Sequence, residues 1–288
     1  MDLKKLLIRT GSGAVYVALM ILGTFFPDVM SVTLCVASII CIHEFCKMCS
    51  GPADRLSEFL LGLVSFVLFV VIVFTYNPYM YDSIPGGMIL NFIIMFPALL
   101  VIYTMIMATV EMFRKRPCPI EQIGKGVFGM LWIILPLGML AATTCSFPKM
   151  VLMFLLLVWA NDTFAYLGGS MYGKHKMFER ISPKKTWEGT LTGAFFTFVV
   201  AFICSKIPYF YENSVLYKPF LWFLFAALVV VFGTVGDLLE SLFKRSAGLK
   251  DSGNIMPGHG GMLDRFDSIL FAAIPVCLLL FGIYCSGF

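Results

Sequence analysis

Apolar residues run through the chain in nine stretches separated by short polar breaks. They cover roughly 11–26, 29–43, 57–75, 88–110, 126–142, 150–169, 189–205, 219–236 and 269–286. A helix that crosses a bilayer needs about 20 mostly apolar residues. A single short stretch reads equally well as a buried or re-entrant helix, but together the nine leave no polar surface for a soluble globule. The pattern predicts an all-α polytopic membrane protein of about nine transmembrane helices, forming one integral-membrane domain over 1–288. Pro97, Pro136 and Pro275 fall inside spans, where neighbouring helices can absorb a kink.

The polar breaks add an orientation. With the N-terminus inside, the inside segments are 1–10, 44–56, 111–125, 170–188 and 237–268, and they hold 18 of the 21 Lys and Arg. The outside segments keep Lys149, Lys206 and Lys218. Cytoplasmic loops carry the Lys/Arg excess, so the alternation predicts nine spans, a cytoplasmic N-terminus and Phe288 outside. The first apolar stretch follows Lys4, Lys5 and Arg9 and mimics a signal peptide. It lacks a small-x-small cleavage site and the next span starts almost at once, so a retained helix is expected.

Composition narrows the class. A length of 288 residues alone suggests two soluble domains. Apolar residues reach 59%, charged residues only 13%, and there are 29 Phe; soluble domains carry about 45–50% apolar and about 25% charged residues. Disorder, a secreted disulfide scaffold and a free nucleic-acid-binding domain are excluded. The net charge of +4 is small, so its distribution matters more than its sum. The nine Cys are scattered and odd in number, which suits small packing residues. Cys41, His43, Cys46 and Cys49 cluster, but no second Cys/His pair completes a structural zinc set. Glu44 in that stretch reads as an interfacial charge.

Two windows stand apart. Residues 161–190 and 237–268 hold 8 of the 17 acidic and 9 of the 21 basic residues. Charges at a membrane boundary are costly unless paired, hydrated or metal-bound, and mark function by default. In the first window Asp162, Tyr166 and Gly169 share a helical face, and Gly168, Gly169 and Gly173 allow close backbone approach. Lys174, His175 and Lys176 follow. Ser182 is a suitable N-cap with Pro183 at the first helical position, and a helix start flanked by Lys184 and Lys185 is an anion site. In the second window Asp237, Glu240, Ser241 and Lys244 fall on one helical face. A Gly-rich loop, Gly248 to Gly261, holds Lys250, Asp251 and His259. Asp264, Asp267 and Ser268 then share a face, with Arg265 beside them.

Carboxylates with lysines, arginine and a Gly-rich loop are what metal-assisted phosphoryl or nucleotidyl transfer requires. Mg²⁺ takes one or two carboxylates and leaves positions for phosphate oxygens and water. Lys and Arg neutralise the remaining phosphate charge, and glycines let backbone N–H groups reach phosphates. The loop is neither a Walker A sequence nor GxGxxG. His259 sits between two glycines, where it could act as a base, bond a phosphate or fix the loop.

Ser241-x-x-Lys244-Arg245, Lys250-Asp251-x-Gly253 and Pro257-x-His259-Gly260-Gly261-x-x-Asp264-Arg265-x-Asp267 together resemble the signature of the phosphatidate cytidylyltransferase (CDP-diacylglycerol synthase) family. Ser182-Pro183-Lys184-Lys185-Thr186-Trp187-Glu188-Gly189 looks like a second region typical of it. The motif resemblance covers about residues 160–268, and the first five spans match in hydropathy and length alone. It implies an enzyme that makes CDP-diacylglycerol and pyrophosphate from CTP and phosphatidate, a nucleotidyltransferase of phospholipid biosynthesis. The implied cofactor is Mg²⁺, with or without a second cation. The split of basic residues puts both windows, and with them the active site, on the cytoplasmic side of an inner or plasma membrane, and the resemblance implies a homodimer. Residues 1–149 would then be N-terminal helices and 150–288 the catalytic helices and loops.

Carried over by motif position, Asp237 and Asp264 are the metal ligands. Asp251 and Asp267 are candidates for the metal or for orienting Lys and Arg, and Lys244, Arg265 and His259 complete the catalytic candidates. Substrate contacts would come from Asp162, Lys174, Ser182, Lys184, Lys185, Arg245, Lys250, Gly260 and Gly261.

The residues suit this chemistry independently. Phosphatidate is a phosphate monoester, largely ionised near neutral pH, so its oxygen is already a nucleophile. The burden is electrostatic, as in other in-line displacements at phosphorus. Two other readings fit part of the pattern: another CTP-using enzyme or lipid kinase of the same architecture, and a secondary transporter for an anionic solute. A transporter needs its charges near the midplane, whereas both polar windows here fall at one membrane face.

Overall fold

A computed structural model describes residues 3–49, 55–75, 87–114, 116–211, 216, 218–256 and 260–286. Among these residues nine long helices follow one another. They are α1 Leu3–Phe25, α2 Pro27–Met48, α3 Arg55–Thr75, α4 Gly87–Arg114, α5 Pro119–Ser146, α6 Pro148–Tyr172, α7 Trp187–Cys204, α8 Pro219–Ser246 and α9 Leu263–Cys285. Eight are long and apolar enough to cross a membrane, and α1 adds the shorter apolar piece Thr10–Phe25. The strands among the described residues are β1 Lys176–Phe178 and β2 Ser182–Thr186. The chain is therefore an all-α polytopic integral membrane protein.

Each apolar stretch lies within or almost wholly within one helix, but several helices outrun their stretch. α5 starts at Pro119, α8 continues to Ser246 and α9 starts at Leu263. Backbone hydrogen bonding does not stop where side chains become polar, so these helices project polar turns beyond the apolar band. Pro stands at the start of α2, α5, α6 and α8, where its missing N–H costs nothing and its fixed φ suits the first turn.

The chain forms two compact units, one of residues 1–146 with 251–265 and one of 147–250 with 266–288. In the first unit α5 is central: 78% of its apolar window is buried, against 17% for α4. α4 turns Ile94, Val101, Ile102 and Met105 outward, an apolar face of the kind a bilayer accepts. Gly138 lets α5 close in, since a Cβ there would lie 2.5 Å from Phe92 and 2.9 Å from Leu68. A π-helical turn, Met130–Ile134, precedes Pro136 in α5. The wider turn accommodates a ring that has no N–H to donate and would crowd the carbonyl four residues back.

In the second unit α6 and α7 pack along most of their length. Their seam is made of glycines. A Cβ on Gly189 would lie 2.6 Å from the Ala165 carbonyl, and one on Gly193 would lie 2.8 Å from the Asn161 carbonyl. Gly168 meets Thr192 in the same way. Without side chains at the seam the two backbones meet directly, and this seam sets where the segment between the helices emerges.

Candidate active site

That segment, 173–186, is a small ribbon. β1 and β2 pair antiparallel, with Lys176 opposite Thr186 and Phe178 opposite Ser182. Ser182 and Pro183 therefore lie in a strand, and the expected helix start at Ser182 is corrected to Trp187. Strand pairing captures 182–186 first, and the capping role passes to Thr186, whose extended backbone (φ −129°, ψ 152°) lets its Oγ1 accept from the Gly189 N–H at 3.2 Å. Glu188 reaches back: its carboxylate accepts from the Lys174 N–H at 3.1 Å and the His175 N–H at 3.2 Å, and pairs with His175 Nδ1 at 2.5 Å. The two ends of the ribbon are thereby fastened to α7.

Successive strand residues point to opposite faces, so Lys184 and Lys185 part. Lys184 is exposed. Lys185 extends its ammonium to Asp237 Oδ2 at 2.7 Å and to the Thr234 carbonyl at 3.3 Å.

Asp237 belongs to a carboxylate cluster. Asp237 and Glu240 on α8 and Asp267 on α9 each present a ligand oxygen, and these atoms lie within 4.8 Å of one another. Gly236 makes this approach possible, because a Cβ there would lie 2.6 Å from the Asp267 carbonyl. Ser241 donates to Asp237 at 3.4 Å, Lys244 pairs with Glu240, and the Ser268 N–H donates to Asp267 at 2.6 Å. Ser268 Oγ in turn donates to Asp162 at 3.4 Å. Two lysines thus stand beside four carboxyl groups. Three clustered carboxylate oxygens are hard donors of the kind Mg²⁺ takes, so the residues present fit the expected cation.

The first unit carries the Gly-rich loop from Asp251 onward. Asp264, in the first turn of α9, accepts from the Ser252 N–H at 3.0 Å and the Gly261 N–H at 2.8 Å. Glu44 of α2 is 2% exposed. It accepts from Ser252 Oγ and from the Met262 and Leu263 N–H groups, each at 2.9 Å. Gly260 has a left-handed backbone (φ +84°), open to glycine at little cost, and its carbonyl accepts from the Met256 N–H at 3.0 Å.

The remaining candidates are spread. Arg245 donates to the Ile181 carbonyl at 3.4 Å and the Leu249 carbonyl at 3.2 Å, tying the ribbon turn to the end of α8. Gly248 (φ +69°) closes that helix, with the Leu249 N–H returning to the Lys244 carbonyl at 2.8 Å. Lys174, Lys250, Asp251 and Arg265 are exposed. His259 lies outside the described residues.

Of the expected site residues, Asp162, Lys185, Asp237, Lys244 and Asp267 are gathered in the second unit, and Gly260, Gly261 and Asp264 in the first. Glu240 was legible as part of the α8 polar face but not as a third metal-type donor. Glu188 and Glu44 gave no local sign of their partners.

Comparison with known proteins agrees with this chemistry. Residues 5–283 match the model of the cytidylyltransferase family. The chain is 38% identical over 161 residues to a phosphatidate cytidylyltransferase of Rickettsia bellii, covering 55% of this chain and 69% of that protein. It is similarly 38% identical over 160 residues to the Rickettsia typhi protein of that name, covering 54% and 68%. Identity rises to 46% over 127 residues with a Staphylococcus aureus phosphatidate cytidylyltransferase, covering 43% of this chain and 46% of that one. With a family match over nearly its whole length, this chain belongs to the cytidylyltransferase family.

Proposed function

We propose that the chain transfers the cytidylyl group of CTP to phosphatidate, giving CDP-diacylglycerol and pyrophosphate. The observation that carries this reading is the cluster of Asp237, Glu240 and Asp267 with Lys185 and Lys244 against it, in a chain that belongs to this family. A phosphate oxygen of the lipid attacks the α-phosphorus of CTP. One P–O bond forms there, and the bond from that phosphorus to the oxygen bridging to the β-phosphate breaks. The electron pair leaves with pyrophosphate, and no protein nucleophile intervenes.

Asp237, Glu240 and Asp267 would hold Mg²⁺, which when bound neutralises phosphate charge and stabilises the charge that builds on the leaving group. The resemblance pairs Asp237 with Asp264 as ligands; the distances favour Asp237 with Glu240 and Asp267, while Asp264 engages loop amides. Lys185 and Lys244 rest on carboxylates, so each is a cation within reach of a phosphate that joins the cluster. Arg245 and the Glu188–His175 pair hold the ribbon that carries Lys185.

The basic residues argue for a cytoplasmic active face and the family resemblance for a homodimer. Purified protein in detergent, given CTP, Mg²⁺ and phosphatidate, should release pyrophosphate only when all three are present. Release independent of phosphatidate would refute the lipid as acceptor.

A further inference from the structure

A carboxylate at a membrane boundary is costly unless it is matched, and Glu44 is matched entirely by one loop. It sits near the end of α2, 2% exposed. Its three donors lie 208 to 219 residues further along the chain. Oε2 accepts from Ser252 Oγ and the Leu263 N–H, and Oε1 accepts from the Met262 N–H. The backbone crowds in around it: a Cβ on Gly253 would lie 2.8 Å from the Glu44 carboxyl carbon, and one on Gly261 would strike both the carboxylate and Ser252 Oγ. Two glycines of the signature are therefore the size they must be for the loop to close on Glu44.

The contacts hold both ends of the loop, 252–253 on one side and 261–263 on the other. The Met262 and Leu263 N–H groups open α9 and have no partner within that helix. A carboxylate there satisfies them and complements the helix dipole. Asp264 lies on the next residue and bonds the Ser252 and Gly261 N–H groups between the same two ends. The loop is thus clamped twice, by an acid of its own and by one from an N-terminal helix.

We propose that Glu44 is a positioning residue for the reaction, which fixes the backbone carrying Gly260, Gly261, Asp264 and Arg265. This rests on the cytidylyl-transfer reading, and it acts through the loop.

Glu44→Gln keeps the shape but loses an acceptor whichever way the amide turns, because its NH₂ must face either the Met262 or the Leu263 N–H. Hydrogen exchange of the full-length protein in detergent reads the loop directly. With one buried N–H unmatched, amide exchange across 252–263 should rise about ten- to hundredfold, while α5 and α6 stay protected. In steady-state assays kcat/KM for CTP should fall about tenfold or more. Ser252→Ala removes one of the three donors. It should give a smaller loss of both protection and kcat/KM and add little in the Glu44→Gln background. It also keeps the test open if Glu44→Gln does not fold. Unchanged exchange at 252–263, or wild-type kcat/KM with a loosened loop, would overturn the proposal. A wild-type protein without cytidylyltransferase activity would instead refute the reading beneath it, and the exchange result would still stand.

Discussion

Lys185 Nζ lies 2.7 Å from Asp237 Oδ2. A lysine of the ribbon thus neutralises an acid of α8 in the second unit. Part of each side chain remains open to solvent, at 23% and 30% exposure. On the cytidylyl-transfer reading, Lys185 is a cation held at the edge of the carboxylate cluster, placed to exchange its carboxylate partner for a phosphate oxygen. Lys185→Ala is expected to lower kcat/KM for CTP about a hundredfold, the scale of one strong electrostatic contact. Lys184→Ala, whose side chain takes the opposite ribbon face, should cost far less. Wild-type kcat/KM in Lys185→Ala would reduce Lys185 to a simple surface charge, and an equally large loss in Lys184→Ala would contradict the division of the two lysines between the ribbon faces.

The cluster makes a second prediction. Asp237→Asn, Glu240→Gln and Asp267→Asn should each reduce turnover by about a hundredfold or more. Each should also raise the Mg²⁺ concentration needed for half-maximal rate. Combined variants should be little worse than singles, because residues that act as one unit are not additive. Asp264→Asn should lower turnover while leaving the Mg²⁺ requirement near wild type, since its carboxylate bonds the Ser252 and Gly261 N–H groups. A Mg²⁺ titration of the four variants separates the two kinds of acid. A large shift for Asp264→Asn would return it to the ligand set.

The seam of α6 and α7 predicts a stability effect. Gly189→Val places branched carbons where a Cβ alone would meet the Ala165 carbonyl at 2.6 Å and Gly169 at 2.9 Å. Backbone cannot yield as a side-chain tip does, so the helices must separate. Thermal unfolding in detergent should show a large loss of stability, or the protein should fail to accumulate. Gly11→Ala, with open space around it, is the matched control and should be neutral.

How much of this was legible in the sequence follows from the range of each interaction. The spans were readable because a lipid-facing helix must be apolar locally, as the run from Phe92 through Met105 on α4 illustrates. The stripe of Asp237, Glu240 and Lys244 was readable because helical spacing fixes it. Ser182-Pro183 carried a genuine helix-start signal that strand pairing with Phe178 overrode, and the cap moved to Thr186. The role of Glu44 could not be read at all, since its partners are more than 200 residues away. Asp264 and Asp267 share a stretch of helix, yet one turns to the loop and the other to the cluster, a division that depends on tertiary neighbours.

Orientation in the membrane can be tested with two native thiols. Cys118 and Cys285 are free and exposed. The distribution of basic residues puts Cys118 in an inside segment and Cys285 at the outer end of α9. A membrane-impermeant maleimide applied to intact cells should label Cys285 and spare Cys118, with Cys118 labelled only after lysis. The reverse pattern would invert the proposed orientation.

Attack by the lipid phosphate on the α-phosphorus of CTP can be followed with radiolabelled CTP and the purified protein, in parallel reactions labelled at the α- or the γ-phosphate. The α-label should appear in the lipid product and the γ-label in pyrophosphate, in equal molar amounts. Appearance of the γ-label in the lipid, with release of CDP, would mark a lipid kinase and refute cytidylyl transfer.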